Sequence, residues 1–420
     1  MSLSPRVCKP ISVTAVCLCL LLALPAISRA QQPLSLEEAW KRAEASLPSA
    51  QAARQRVEAA VATARAAGKQ PNATIALAKP YGSPVTGGFG EDLILSQSLE
   101  SGKVVGPRKR AAEQQLRVTE SERDAVLLDL KQAVTNAYIQ CLLADGESDQ
   151  AKSALDAGQK FADAAKTQFD AGDAPRSNVV RSQVEVARFT QTLVEAQTAR
   201  DSAYATLRSL LGLGAGEPLT LSDPLTAEPV APIDRDAVRA LALAHRPEVL
   251  AARAQLLASA ADADTARGQR APGFTIEGRR ASLNPAAVGY ASVRVGINLP
   301  LFDNGRIRAE VSAADATRRA AETNAKEAER TALLEVDLAL NERERALKVE
   351  QTFEGAGRLA KAQELLEMAQ LGYEKGGNGY LEVIDAQRVF ASERVEYLRA
   401  LAAVRLATAR LERAIGGKLP

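Results

Sequence analysis

Alternation dominates one short stretch of the chain. Ala291, Val293, Val295, Ile297 and Leu299 are interleaved with Tyr290, Ser292, Arg294, Gly296 and Asn298. One face of an extended segment is then apolar throughout and the other polar throughout, as in a strand of a membrane β-barrel. Phe274, Ile276 and Gly278 oppose Thr275, Glu277 and Arg279 in the same way just upstream. A weaker pair lies near the start, with Ile75 and Leu77, then Leu93, Leu95 and Leu99. Alternation alone also suits a soluble amphipathic sheet.

The rest of the pattern is helical. Leu359, Ala362, Leu366, Ala369 and Tyr373 fall at spacings of 3, 4, 3 and 4, and Leu155, Gly158, Ala162, Ala165 and Phe169 repeat them 204 positions earlier. Leu401, Val404, Thr408, Leu411 and Ile415 keep the same rhythm. These are coiled-coil seams. Long helices are predicted over about 103–170 and 306–374; at 1.5 Å per residue each would reach about 100 Å, too long for a compact domain. Shorter helices are predicted over 35–68 and 234–268, broken at Pro48 and Pro247. Short turns at 171–175 and 375–379 and helices of roughly 36 residues complete the pattern.

These elements form two copies of one unit. Ala52-Ala53-Arg54 recurs as Ala251-Ala252-Arg253, 199 positions on; Leu47-Pro48 is matched by Arg246-Pro247, and Leu211-Gly212 by Ile415-Gly416. The expected organisation is a first unit over 31–212, an extended linker over 213–233 holding Pro218, Pro224, Pro229 and Pro232, and a second unit over 234–420. The fold class is mainly α with a small β part: duplicated coiled-coil hairpins plus four strands. Four strands cannot close a membrane barrel, whose smallest members have about eight, and open sheet edges are not tolerated in lipid. Several copies must therefore share one barrel: two copies give eight strands and three give twelve.

Composition and charge refine this picture. Arg6 and Lys9 precede an apolar run from Ile11 to Leu24, and Ser28-Arg29-Ala30 supplies a small-residue cleavage site, so residues 1–30 read as a signal peptide. Only Cys141 of the four cysteines then remains, so no intrachain disulfide is possible. The signal would remove three basic residues, leaving 50 basic against 51 acidic, which does not suit a nucleic-acid binder. With His245 the only histidine, zinc and Ser-His-Asp chemistry are disfavoured, and neither a metal nor a cofactor is expected. Gly376-Gly377-Asn378-Gly379 reads as a turn between helices because no strand precedes it and no lysine follows.

Three runs carry a family likeness. Tyr373, Gly376, Tyr380, Val383, Ile384, Asp385, Ala386 and Gln387 resemble a tip signature of the TolC family of outer-membrane efflux proteins. Ala244-His245-Arg246-Pro247-Glu248-Val249 resembles its helix break, and Leu299 to Gly305 its strand exit. Gln97 to Lys103 look most like the CzcC-like heavy-metal branch. The resemblance implies a homotrimer with one twelve-stranded barrel facing outer-membrane lipid through Val293, Val295, Ile297 and Leu299. It also implies a periplasmic helical tunnel whose tips meet a periplasmic adaptor and an inner-membrane pump of RND type. Gly172, Asp173, Ser177, Gly376, Gly379 and Tyr380 would form the docking tips, and Glu382, Asp385, Asn178 and Asn378 the gate. In the best-known members an arginine after the tip glycine holds the end shut. Asn378 stands at that position here, so any latch must be wired differently. The function so implied is export of small molecules or metal ions, with a type I protein-secretion conduit as the alternative. A periplasmic adaptor or a structural coiled coil fits less well, since neither needs duplicated units with barrel-like strands.

Overall fold

A computed structural model describes residues 33–78, 92–227, 232–280, 290–355, 357–377 and 379–419. The signal-peptide expectation for 1–30 and the gate position Asn378 lie outside these residues. In the first half, α1 (Leu36–Ser46) and α2 (Pro48–Ala67) lead to β1 (Thr74–Ala78) and β2 (Asp92–Leu99), then α3 (Gly102–Asp170) and α4 (Arg176–Leu210). In the second, α5 (Arg235–His245) and α6 (Pro247–Gly268) lead to β3 (Gly273–Arg280) and β4 (Ala291–Asn298), then α7 (Arg306–Glu354), α8 (Arg358–Glu374) and α9 (Tyr380–Ile415). No described helix is long and apolar enough to cross a membrane.

Local chemistry sets the helix boundaries. Ser35 accepts from the Glu38 amide while Glu38 reaches back to the Ser35 amide, a capping box that starts α1. Leu47 and Arg246 take extended backbone because each precedes a proline, and that proline then opens the next helix.

The two halves also pack alike. Ala39, Ala43, Val134, Tyr138, Leu207 and Leu211 are buried in one cluster, and Val238, Ala242, Val336, Leu340, Leu411 and Ile415 in another. Each residue of the second set lies 199 to 204 positions after its counterpart, so the repeat in sequence is a repeat in packing. An ion-pair chain joins the copies. Arg413 on α9 reaches Asp129 on α3 at 2.6 Å and Glu248 on α6; Arg246, 6% exposed, holds Glu248 at 3.0 Å and also pairs with Glu335 on α7. Burial alone would raise the Glu248 carboxyl, but donation from Arg413 and the charges of Arg413 and Arg246 outweigh it and hold it below its ordinary value.

Two expectations change. The second long helix is not continuous: α7 stops at Glu354 and α8 starts at Arg358. Gly357 lies there with φ +64°, a left-handed conformation that ends a helix. The corresponding first-unit stretch around Ala151 to Ser153 holds no glycine, and α3 runs unbroken. Side chains brace the break: Arg358 sits 4.4 Å from the Phe353 ring and donates to Glu393 on α9 at 2.8 Å. The predicted seams are internal at Gly158, Ala165, Ala362, Leu366 and Ala369, but Phe169 is 40% exposed because it occupies the last turn before the tip. The described part of the linker, 213–227, is held to the first half. Leu34 pairs with Leu221, and Leu213, Leu219 and Leu225 pack on the first core.

The four strands form one antiparallel sheet in the order β1-β2-β3-β4, so the halves meet at β2 and β3 while β1 and β4 are its edges. Register aligns Ile75 with Leu95, Leu95 with Gly278, and Gly278 with Val293; a second row runs Leu99, Phe274, Ile297. The apolar residues therefore share one face, and they are exposed: Ile75 by 70%, Val293 by 78%, Val295 by 66%. The opposite face carries Asp92 paired with Arg279, and Glu277 3.8 Å from Arg294. An arginine facing hydrocarbon at mid-depth costs about 2–4 kcal/mol, whereas the polar face tolerates exchange. Val295→Arg should abolish stable membrane assembly and Arg294→Val should not. Heat-resistant oligomer in isolated membranes reads the difference, and equal assembly would mean that the sheet faces the other way.

Candidate functional site

The α3–α4 and α8–α9 turns lie at equivalent positions of the two halves. Gly172, at φ +85°, and Gly376, at φ +72°, occupy left-handed positions that residues with a Cβ rarely adopt. The Gly172 amide donates to Phe169 O at 3.0 Å and the Asp173 amide to Gln168 O at 2.9 Å. The Gly376 and Gly377 amides repeat this with Tyr373 O and Gly372 O at 3.0 and 2.8 Å. Both helices thus end by satisfying their last carbonyls, and each chain reversal leaves small exposed residues at its apex. Pro175 and Gly379 then open α4 and α9 in extended conformation.

Side chains fasten the two turns to each other. The Tyr373 hydroxyl donates to Gln168 Oε1 at 2.7 Å, joining α8 to α3. Tyr380 packs with Ala165 and Ile384, flanked by Phe161 and Tyr373, and its ring lies 6.2 Å from that of Tyr373. Burial pushes the Tyr380 hydroxyl up, opposed by hydrogen bonding with Ser182, itself 1% exposed. Arg388 on α9 donates from Nε to Glu185 Oε2 on α4 at 3.1 Å and from Nη2 to the other oxygen. Glu185 is 7% exposed, so a carboxylate removed from water is held by a planar two-point donor.

The expected site residues divide accordingly. Gly172, Asp173, Ser177, Gly376 and Gly379 are exposed at the apices. Tyr380 is not: at 4% exposure its ring fills the space between the hairpins, which corrects the expectation that it forms part of a docking surface. Glu382 and Asp385 are exposed on the first turns of α9, and Asp385 lies 3.6 Å from Arg388. Arg388 therefore stands between an exposed carboxylate and a buried one. Asn178 is half-buried in the first turn of α4, its amide bonded to Pro175 O at 3.0 Å. Among the described residues no group of three or more His, Cys, Asp and Glu is placed to hold a metal. Cys141 is buried, and burial with the nearby Asp145 charge pushes its thiol up to about 12.

Sequence reasoning missed Glu185 and Arg388. The available signal was a pair of opposite charges 203 positions apart, close to the repeat offset, but each also reads as an ordinary charged position on a solvated helix.

Comparisons agree with this geometry. The family model described as outer membrane efflux protein matches residues 39–213 and 238–417, one stretch in each half. The pyoverdine export outer membrane protein OpmQ of Pseudomonas aeruginosa is 28% identical over 324 residues, 73% of this chain; the chain spans 64% of OpmQ's length. The cobalt-zinc-cadmium resistance protein CzcC of Cupriavidus metallidurans is 26% identical over 320 residues, covering 76% of this chain and 75% of CzcC. The open state of the Neisseria gonorrhoeae MtrE outer membrane channel shares the fold, with a TM-score of 0.75 at 21% identity over 91% of this chain and 89% of MtrE.

Removing Glu185 should uncouple α4 from α9 and leave Arg388 with only the exposed Asp385. Because Arg388 is itself 44% exposed, Glu185→Ala should cost only about 1 kcal/mol. Unchanged melting and unchanged proteolysis of the tips in Glu185→Ala would show that the pair fastens nothing.

Proposed function

The chain belongs to the outer membrane efflux protein family, and from that footing we propose that three copies assemble into one outer-membrane channel that exports small molecules or metal ions. One observation carries the reading: a four-stranded sheet with an exposed apolar face and two edge strands. In hydrocarbon an unpaired edge leaves backbone N–H and C=O groups without partners, at several kcal/mol each. Pairing β4 of one copy with β1 of the next removes every edge once the ring closes. An eight-stranded barrel is filled by its own side chains, so two copies would leave no conduit. Twelve strands give a lumen lined by the face that carries Glu277, Arg279 and Arg294.

The exposed apical residues Gly172, Asp173, Gly376 and Gly379 then point away from the barrel and suit docking of a periplasmic adaptor, which would connect the channel to an inner-membrane pump of RND type. Glu382 and Asp385 approach the threefold axis in this arrangement, with Asn178 beside them. Six carboxylates around a narrow axis raise the local cation concentration and define a selective constriction. Residues 1–30 act as the export signal and are removed.

Mass measurement of the detergent-purified complex tests the assembly. Three chains are expected, and a stable monomer or dimer overturns the reading. A second measurement tests the constriction. Glu382→Gln with Asp385→Asn keeps side-chain shape and removes the charge, so divalent-cation block of single-channel current should weaken strongly. Block in the parent should also shrink at high salt, where the Debye length falls to about 3 Å at 1 M. Unchanged block with a lowered melting temperature would mean that these carboxylates only stabilise the start of α9.

A further inference from the structure

Charge is unevenly placed along this nearly neutral chain. The helix ends and connections that adjoin the sheet, residues 59–73, 100–112, 262–272 and 299–311, hold ten basic and five acidic side chains. Most of the acidic groups there are already engaged. Glu100 pairs with Arg108 at 2.6 Å, Glu310 with Arg306 at 2.6 Å, and Asp264 with Arg267 at 2.9 Å. Asp303 accepts from the Gly305 and Ile307 amides. Arg65, Lys69, Lys103, Arg270 and Arg308 are exposed and, among the described residues, have no ion-pair partner. They come from the ends of α2, α3, α6 and α7, so they gather at one level, where helices give way to strands.

That level has a second mark. Beyond β4 the chain carries Leu301 and Phe302, exposed by 71% and 94%. A fully exposed aromatic where an apolar band ends is the usual occupant of a membrane–water interface. The order along the molecule is then an apolar band, an aromatic, and a ring of free cations. Lys and Arg at such a boundary lay their stems along apolar surface and extend their charges to headgroup depth.

We propose that this junction is a collar that binds the anionic headgroups of phospholipids in the leaflet nearest the helices. The inference rests on the barrel reading above and adds to it a lipid class and the residues that select it. Each basic group near an anionic surface contributes about a fivefold factor in partition, and three copies would bring fifteen such groups to one ring. The collar fixes the depth of the barrel by charge as well as by apolar area.

The test uses the full assembled protein in bilayers of phosphatidylcholine containing a minor fraction of phosphatidylglycerol. Enrichment of phosphatidylglycerol around the protein is read by the lipid retained through purification. The parent should enrich it, and added salt should weaken the enrichment. Lys69→Gln, Lys103→Gln, Arg270→Gln and Arg308→Gln combined should lower the preference at least about tenfold. Lys152→Gln, Lys160→Gln, Lys166→Gln and Lys361→Gln, equal in charge but remote from the strands, should leave it unchanged. The proposal is overturned if the parent shows no preference, if both variants lose it equally, or if inorganic phosphate displaces the lipid at an ionic strength at which chloride does not. Failure of the barrel reading looks different, because the protein would then be extracted from bilayers by alkaline carbonate whatever their composition.

Discussion

Unpaired backbone at the edges of a small sheet governs this molecule. Among the described residues each chain supplies four strands whose register collects the apolar side chains on one exposed face, and β1 and β4 are edges with no strand paired on their outer side. In water such an edge invites aggregation, and in lipid it is prohibitive. Copies of the chain can meet both demands together, since closure removes the edges and presents the apolar face to hydrocarbon. The long helices follow from the same constraint. A strand that must enter a shared ring cannot fold back onto a core of its own chain, so the stabilising burial is placed in the helical part.

Duplication explains how that helical part is held together. Ala43 and Ala242, Leu207 and Leu411, and Leu211 and Ile415 occupy equivalent places in two separate cores, so each half stabilises itself by the same packing. The halves are joined by apolar packing of Tyr380 and Ile384 on Ala165 and by ion pairs, through Asp129, Arg413, Glu248, Arg246 and Glu335 near the middle and through Glu185 with Arg388 near the tips. Such pairs specify relative position more than they stabilise, because desolvation offsets much of their attraction. The copies diverge in the long helix of each hairpin. Gly357 breaks that of the second, whereas α3 runs through the matching place.

The tips show the limits of pattern reading. Tyr380 belongs to a signature and follows a turn, and both facts suggest a surface residue, yet it is buried because the other hairpin supplies Ala165 and Ser182 beside it. Glu185 looks solvated by its neighbours in sequence and is desolvated by Arg388 from a helix about 200 residues away. Seam spacing identified Ala362, Leu366 and Ala369 as internal because that periodicity is a property of one helix. It could not identify which polar positions face another helix, since that depends on how the hairpins are juxtaposed.

The sequence by itself determined what is local or periodic. Period-2 alternation defined the strands and their apolar face, 3-4 spacing the helices, prolines their breaks, and the offset of about 200 the duplication, because each is a relation among near neighbours or between copies of one string. The tertiary structure decided what depends on approach between distant segments. It set the order β1-β2-β3-β4, with the halves meeting at β2 and β3. It buried Tyr380, paired Glu185 with Arg388, and gathered Arg65, Lys69, Lys103, Arg270 and Arg308 at one level. Those outcomes follow from the free energy of packing whole helices against one another, in which a residue's partner is chosen by geometry that its own neighbourhood does not encode.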